Sequence, residues 1–429
     1  STAALTDYAP GFPIVLAAPI ALGAPPVPAA RYVQALAAGL TTAIATALLL
    51  ALIGPGAAYL GALLLIAMPA MTSIHLWVLS EPLFLALLVL TLRAMIQRPA
   101  RAWEHGLWAA GANLVRFAGV FLIGVVTLWA AAQPGSTRQR VKRAAFAALP
   151  GILLQGWWHF EGIAPGGGVS AATFAGLGSA LREGAATVQE WLVPGVPDGI
   201  LRIAIAVIVI VLLKWTAWKA LRAKDAPREF FLGLGLFAIC YLGMLLFARL
   251  HVVSDVPFDD RILGPLFVVL TIGVAAIIGF RWPRWPRWLQ AGTGVAIALW
   301  AAAALTVDVG QARIARAYGL GYESAEWQRS PVAQWLRTDG AARTIYSTDP
   351  AGIWFVVHRP SRLLPSTLDA DTLRVFAARF AAHPSALIGF DSPFVTQVPP
   401  DSLAARLGFR EAARFEHGAV WIAASAGTK

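Results

Sequence analysis

Tyr32-Val-Gln-Ala-Leu-Ala-Ala-Gly-Leu40 opens a stretch that runs through Thr41-Thr-Ala-Ile-Ala-Thr-Ala-Leu-Leu-Leu50 to Ser80 without one Asp, Glu, Lys or Arg. A helix needs about 20 apolar residues to cross a bilayer. Residues 32–80 are too long for one crossing, and Gly54-Pro55-Gly56 is a strong turn signal. The sequence therefore predicts spans at 31–53 and 57–74. Ser80-Glu81-Pro82 then starts a further apolar run, with Pro82 in the first turn, where its missing N–H does no harm.

The same character extends along most of the 429 residues, which are 58% hydrophobic and only 13% charged. Soluble domains carry about 25% charged residues, and a single soluble core has no use for this much apolar side chain. Further apolar segments fall at 144–160, 199–218, 230–248, 262–280 and 289–307. The net charge of +11 does not point to nucleic acid. The cations cluster in short loops between apolar runs, as the positive-inside rule requires. One such loop holds Arg93, Arg98 and Arg101, and another Arg138, Arg140, Lys142 and Arg143. Lys219–Arg228 is a third, and Arg281-Trp-Pro-Arg-Trp-Pro-Arg-Trp288, read as an interface anchor, a fourth. The single cysteine, Cys240, excludes an internal disulfide. The sequence has no ligand spacing for a metal and leaves the use of a divalent metal open.

Two basic loops flank the one apolar block 106–132. If both are cytoplasmic, the block crosses an even number of times, so it is expected to be two half-helices meeting near Arg116. The fold class is then a polytopic α-helical membrane protein of about eight spans plus a half-helix hairpin. A small C-terminal α/β soluble domain completes it. The domains are 1–308 in the membrane and 309–429 outside. In the latter, 344–347, 353–357, 386–390 and 419–423 read as strands and 373–380 as a helix.

Ionisable residues at the external span ends are expensive, and so are site candidates. They are Asp7, His75, Glu81, Arg116, His159, Glu161, His251, Asp255, Asp259, Asp260 and Arg261, with Tyr8 beside them. Glu81 beside Pro82 also suits a helix N-terminus through the dipole. Arg261 has Asp259 and Asp260 as possible loop partners. Gly166–Gly168 lacks the lysine of a phosphate loop and reads as a connection.

Four stretches occur in order: Ala9-Pro-Gly-Phe-Pro13, Ser80-Glu-Pro-Leu-Phe84, Leu114-Val-Arg-Phe-Ala-Gly119 and Asp260-Arg-Ile-Leu-Gly-Pro-Leu266. Together they resemble motifs of the GT-C superfamily of integral membrane glycosyltransferases, in its protein mannosyltransferase and aminoarabinose transferase branch. The resemblance covers residues 5 to 280. It implies transfer of a sugar from a polyprenyl-phosphate donor, inverting, at the external face of the inner (plasma) membrane. The acceptor, a lipid, a glycan or a protein, is left open. It implies catalytic roles for Asp7 and Glu81, and substrate or phosphate contacts for Arg116, Arg261, Asp260, His75 and Tyr8. Such a transfer needs a carboxylate to take the acceptor proton and guanidiniums to hold the leaving phosphate. The family carries its catalytic acid in the first external loop, after an N-terminal span. Here the chain starts within that loop, so the resemblance implies a preceding span, and leaves open whether Asp7 or an upstream residue is that acid. A non-catalytic polytopic protein, such as a transporter or flippase-like scaffold, is the alternative. A transporter usually shows a second broken helix, and only the block at Arg116 reads as broken.

Overall fold

The structure is a computed structural model and describes residues 9–160, 177–251, 257–365, 368–390, 398–415 and 418–423. It divides into two compact units, Ser1–Ala312 and Arg313–Lys429.

In the first unit, α1 (Gly11–Ala21) precedes α2 (Pro26–Leu52), α3 (Pro55–Ile66), α4 (Pro69–Leu76) and α5 (Glu81–Gln97). Next come α6 (Ala102–Val115), α7 (Val120–Ala132), α8 (Thr137–Phe160) and α9 (Leu177–Leu192). The last four are α10 (Ile200–Leu221), α11 (Arg228–His251), α12 (Asp260–Arg281) and α13 (Arg287–Tyr318). Among the described residues, five helices are long and apolar enough to cross a membrane, or six if α3 and α4 make one span. Eight were expected. α5 stops at 17 residues, and α8 carries Arg138, Arg140, Lys142 and Arg143 in its first two turns.

The run read as one span over 57–74 is two helices bent by 51°. Pro69 explains the bend. A proline pushes the preceding residue out of helical geometry, and Met68 has φ −89° and ψ 123°. The block 106–132 does break near Arg116, which is extended at φ −146° and ψ 133°. α6 and α7 pack on each other and both pack on α8. The basic loop that follows ties off α7. Arg140 donates to the Ala131 carbonyl at 2.6 Å and Arg143 to that of Gln133 at 3.0 Å.

The core of this unit lies among α2, α5, α7, α11 and α12, with Leu48, Leu49, Leu85, Leu88, Phe237 and Ile272 fully buried. The outer helices turn apolar side chains outward. Ile208 and Leu212 on α10 are each 57% exposed, which is tolerable in hydrocarbon.

The second unit is a five-stranded sheet with short helices. Its strands are β1 (Thr344–Ser347), β2 (Ser361–Leu363), β3 (Ser385–Phe390), β4 (Arg410–Phe415) and β5 (Gly418–Ile422). The order is β2-β1-β3-β5-β4, with β2, β1 and β3 parallel and β5 antiparallel to both β3 and β4. Helices α14 (Ala325–Arg329), α15 (Pro331–Arg337), α16 (Pro350–Val357), α17 (Ala370–Ala381) and α18 (Pro400–Arg406) complete it. Side chains alternate across the sheet, as strand geometry dictates. Tyr346, Leu387 and Trp421 face one cluster with Phe376 and Phe380. Ile345, Ile388 and Val420 face another with Val332 and Ile353.

The strand expected at 353–357 is a helix. Asp349 caps it, accepting from the Gly352 N–H at 2.9 Å, and Pro350 occupies its first turn. These start signals outweigh the β-propensity of Ile-Trp-Phe-Val-Val.

Candidate active site

Glu81 is only 5% exposed and sits in the first turn of α5, after Ser80, whose side chain makes no cap. The non-helical link ahead of it is held by a buried side chain of α2. Gln34 donates from Nε2 to the carbonyls of Trp77 and Leu79, at 2.6 and 3.0 Å.

Arg116 stands at the break between α6 and the 3-10 turn Phe117–Gly119. Its carbonyl accepts from the Gly119 N–H at 2.7 Å. A Cβ on residue 119 would lie 2.4 Å from the Asn113 nitrogen. Only glycine lets the turn close this tightly on α6, which accounts for the glycine of Leu114–Gly119. Gly11 presses on the same place. Its Cβ would be 2.6 Å from the Leu114 carbonyl oxygen, so the Ala9–Pro13 stretch lies beside the Arg116 break.

Arg261 stands in the first turn of α12. Asp259 caps that helix by accepting from the Ile262 N–H at 2.9 Å. Asp260 accepts from the indole N–H of Trp191 on α9 at 2.8 Å. Neither aspartate is the ion-pair partner of Arg261, in contrast to the loop staple the sequence allowed. That partner is Glu81, with Nε of Arg261 3.3 Å from Oε1. Arg116 pairs with the same carboxylate oxygen. The Nε of Arg261 is buried and still makes no hydrogen bond among the described residues. Tyr241 on α11 completes the arrangement by donating its hydroxyl to the Ile262 carbonyl.

Glu81, Arg116, Tyr241 and Arg261 line one cavity with Ile74, Phe84, Leu85, Ala118, Gly264 and Pro265. Its free volume is about 10 Å³, the room of about one water molecule. Two guanidiniums face one carboxylate, so the lining carries one positive charge in excess.

Three of the seven site candidates thus meet: Glu81, Arg116 and Arg261. Asp260 is adjacent but turned to Trp191. His75 lies within 2.6 Å of the Met71 carbonyl through Nδ1 and is not in the cavity lining. Asp7 and Tyr8 lie outside the described residues, as do Glu161, Asp255, Gly166–Gly168 and the side chain of His159. Sequence reasoning missed Gln34 and Tyr241. Both act on backbone carbonyls distant in the chain, and no local pattern marks them. Among the described residues, no group of His, Cys, Asp and Glu is arranged to hold a metal.

No family model and no curated protein matches the chain. Solved structures do. The chain is similar to ArnT from Cupriavidus metallidurans bound to undecaprenyl phosphate, at 13% identity and a TM-score of 0.54. That match covers 99% of this chain and 90% of that one. The same enzyme in the apo state matches at a TM-score of 0.42. The archaeal oligosaccharyltransferase AglB from Archaeoglobus fulgidus, in complex with an inhibitory peptide and a dolichol-phosphate, matches at 0.45 and 11% identity. It covers 84% of this chain and 58% of that one. The first likeness shows the fold: the chain shares the architecture of that ArnT structure.

Proposed function

We propose that this protein transfers a sugar from a polyprenyl-phosphate donor to a hydroxyl-bearing acceptor at the external membrane face. The carrying observation is the Arg116–Glu81–Arg261 cluster, with two guanidiniums on one buried carboxylate lining one cavity. A lone buried carboxylate would be costly, and so would two unpaired arginines. Together they leave one unit of positive charge, and a phosphate has the matching sign. That ArnT has been captured with undecaprenyl phosphate supports a carrier of this kind here.

In the reaction, the acceptor oxygen bonds to the anomeric carbon as the bond from that carbon to the phosphate oxygen breaks. The electron pair leaves with the phosphate, and a carboxylate takes the acceptor proton. Arg116 and Arg261 hold the phosphate as its charge rises, the form of stabilisation that accelerates such steps. Glu81, read from sequence as one of two catalytic acids, orders the arginines, because both share its Oε1. Asp7 is the remaining candidate for the base.

The test is transfer of labelled sugar from a polyprenyl-phosphate donor by the purified protein in liposomes. Transfer that falls at least a hundredfold in Arg116→Gln supports the reading; transfer unchanged in that variant overturns it. The sidedness has its own check. A reporter active only in the cytoplasm, fused after Lys429, stays silent under this topology, and a strong signal contradicts it.

A further inference from the structure

Strands β1 and β3 are parallel neighbours in the sheet of the second unit, yet the chain leaves them toward opposite faces. From β1 it passes to α16, whose Ile353 packs on the face of Ile345 and Ile388. From β3 it leads to α18, whose Leu403 packs on the face of Tyr346 and Leu387. Parallel strands whose exits part in this way leave a crevice beyond their C-terminal ends, where open α/β sheets take their ligands. The floor of this crevice is pinned. Thr348, directly after β1, accepts at Oγ1 from the N–H of Phe390, the last residue of β3, at 3.1 Å.

Four aromatic rings and the Asp349 carboxylate are linked into one cluster there. The Trp327 ring is 4.8 Å from that of Phe390. It rests on the first turn of α16, where a Cβ on Gly352 would lie 2.8 Å from its Cζ3. Tyr322, in the 3-10 turn Gly321–Glu323, meets Trp327 edge to face at 5.1 Å and stacks on Phe355 at 5.6 Å. Gln328 holds the stacked pair, donating from Nε2 to the carbonyls of both residues at 3.0 and 3.1 Å. The Tyr322 hydroxyl donates to Oδ2 of Asp349 at 2.8 Å, and Oδ1 accepts from the Gly352 N–H at 2.9 Å. The four rings and Asp349 all keep part of their surface exposed. Tyr322, Trp327 and Phe355 belong to neither core of the sheet, so packing of the sheet does not account for them.

We infer that this crevice binds a neutral sugar, a pyranose ring of a glycan, with a C–H face on Trp327 and hydroxyls donating to Asp349. Rings with a few placed polar groups are the make-up of a small-molecule site. These five residues carry one negative charge and no positive one, which disfavours a phosphate or a nucleotide. The Asp349 charge is already offset by two donors and the α16 dipole, so the site asks for hydroxyls rather than a cation. A carboxylate has about four lone-pair sites. Two are taken, and Asp349 can accept from further hydroxyls. A pyranose has the matching form, flat C–H faces within a rim of donors, and aromatic side chains with a wet edge suit it. The crevice lies wholly within the Arg313–Lys429 unit and does not rest on the transferase reading.

The test is saturation-transfer NMR on the purified full chain in a polyoxyethylene detergent, which contains no sugar. The probes are the methyl pyranosides of glucose, galactose, mannose and N-acetylglucosamine at millimolar concentration, with choline as a cation that aromatic rings also accept. At least one pyranoside is expected to take saturation, most strongly at its ring C–H protons, and choline to take none. Trp327→Ala is expected to weaken that sugar about fivefold or more, as is Asp349→Asn, which keeps a residue able to cap α16. Trp354→Ala, at a position of α16 that is 52% exposed, and Arg116→Gln, in the membrane unit, are expected to leave it unchanged. Four results overturn the site: no saturation of any pyranoside, preferential binding of choline, unchanged affinity in Asp349→Asn, or a signal lost in Arg116→Gln. If Trp327→Ala fails to fold, Asp349→Asn decides alone.

Discussion

Helix α12 carries an arginine at each end, and the two are held in opposite ways. Arg281, in the last turn, lies where the helix dipole favours a cation. Arg261, in the first turn, lies where the dipole disfavours one by about 0.3–1 kcal/mol. The protein surrounds the unfavourable end with support: the Asp259 cap, the Glu81 carboxylate and the Tyr241 hydroxyl on the next carbonyl. The favourable end has a guanidinium with a buried, unserved donor and no carboxylate partner of its own among the described residues. A cation kept where local electrostatics oppose it is a cation with a task, and the cost of keeping it is spread over three other elements.

The largest effect that separates the two ends comes from Glu81→Ala. It leaves Arg116 and Arg261 facing each other across one cavity without their common counter-ion. Breaking a buried pair costs about 3–5 kcal/mol. Because both arginines keep some solvent contact, we expect about 3 kcal/mol, read as loss of unfolding free energy in detergent. A change below about 1 kcal/mol, within the range of a surface pair, would place Glu81 outside the frame of the site.

Next is the exchange of arginine for lysine. Arg261→Lys keeps the charge and loses the planar fork, so affinity for the polyprenyl-phosphate carrier should fall about tenfold, or about 1.4 kcal/mol. Arg281→Lys should leave carrier affinity unchanged. Equal losses at the two ends would break the comparison, because they would mean that the carrier reads general charge rather than the cavity.

Smaller still is Tyr241→Phe, which removes the hydrogen bond to the Ile262 carbonyl. About 1 kcal/mol of stability is expected to go with it, and carrier affinity should fall by a few-fold. Asp259→Ala closes the series with a lost helix cap, about 0.5–1 kcal/mol. A melt that separates these two variants from wild type by nothing would show the α12 start to be held by packing alone.

Much of this frame was readable before any coordinates. The break at Arg116 follows from two basic loops around one apolar block. The cations of the site stand out because arginine at a span end needs an anionic partner. What was not readable is pairing. Glu81 and Arg261 are 180 residues apart in sequence, and nearer acids at 259 and 260 were the obvious partners by distance along the chain. In the fold those acids are spent on a helix cap and an indole N–H. Gln34 and Tyr241 address carbonyls, and carbonyls leave no trace in a sequence. Two local errors have local causes. Pro69 bends the span read over 57–74, and the Asp349-Pro350 start turns an apparent strand into α16.

The central claim, that the Arg116–Glu81–Arg261 cavity seats the phosphate of a polyprenyl carrier, is tested most directly by comparing undecaprenyl phosphate with undecaprenol, the same lipid without the phosphate. Binding of each to the purified protein, by intrinsic tryptophan fluorescence or native mass spectrometry, isolates the head group from the tail. The account predicts that the phosphate form binds at least tenfold more tightly to wild type, and that this advantage shrinks below about threefold in folded Arg116→Gln/Arg261→Gln protein. Equal affinities for the two lipids in wild type, or an advantage that survives the double substitution, would contradict it.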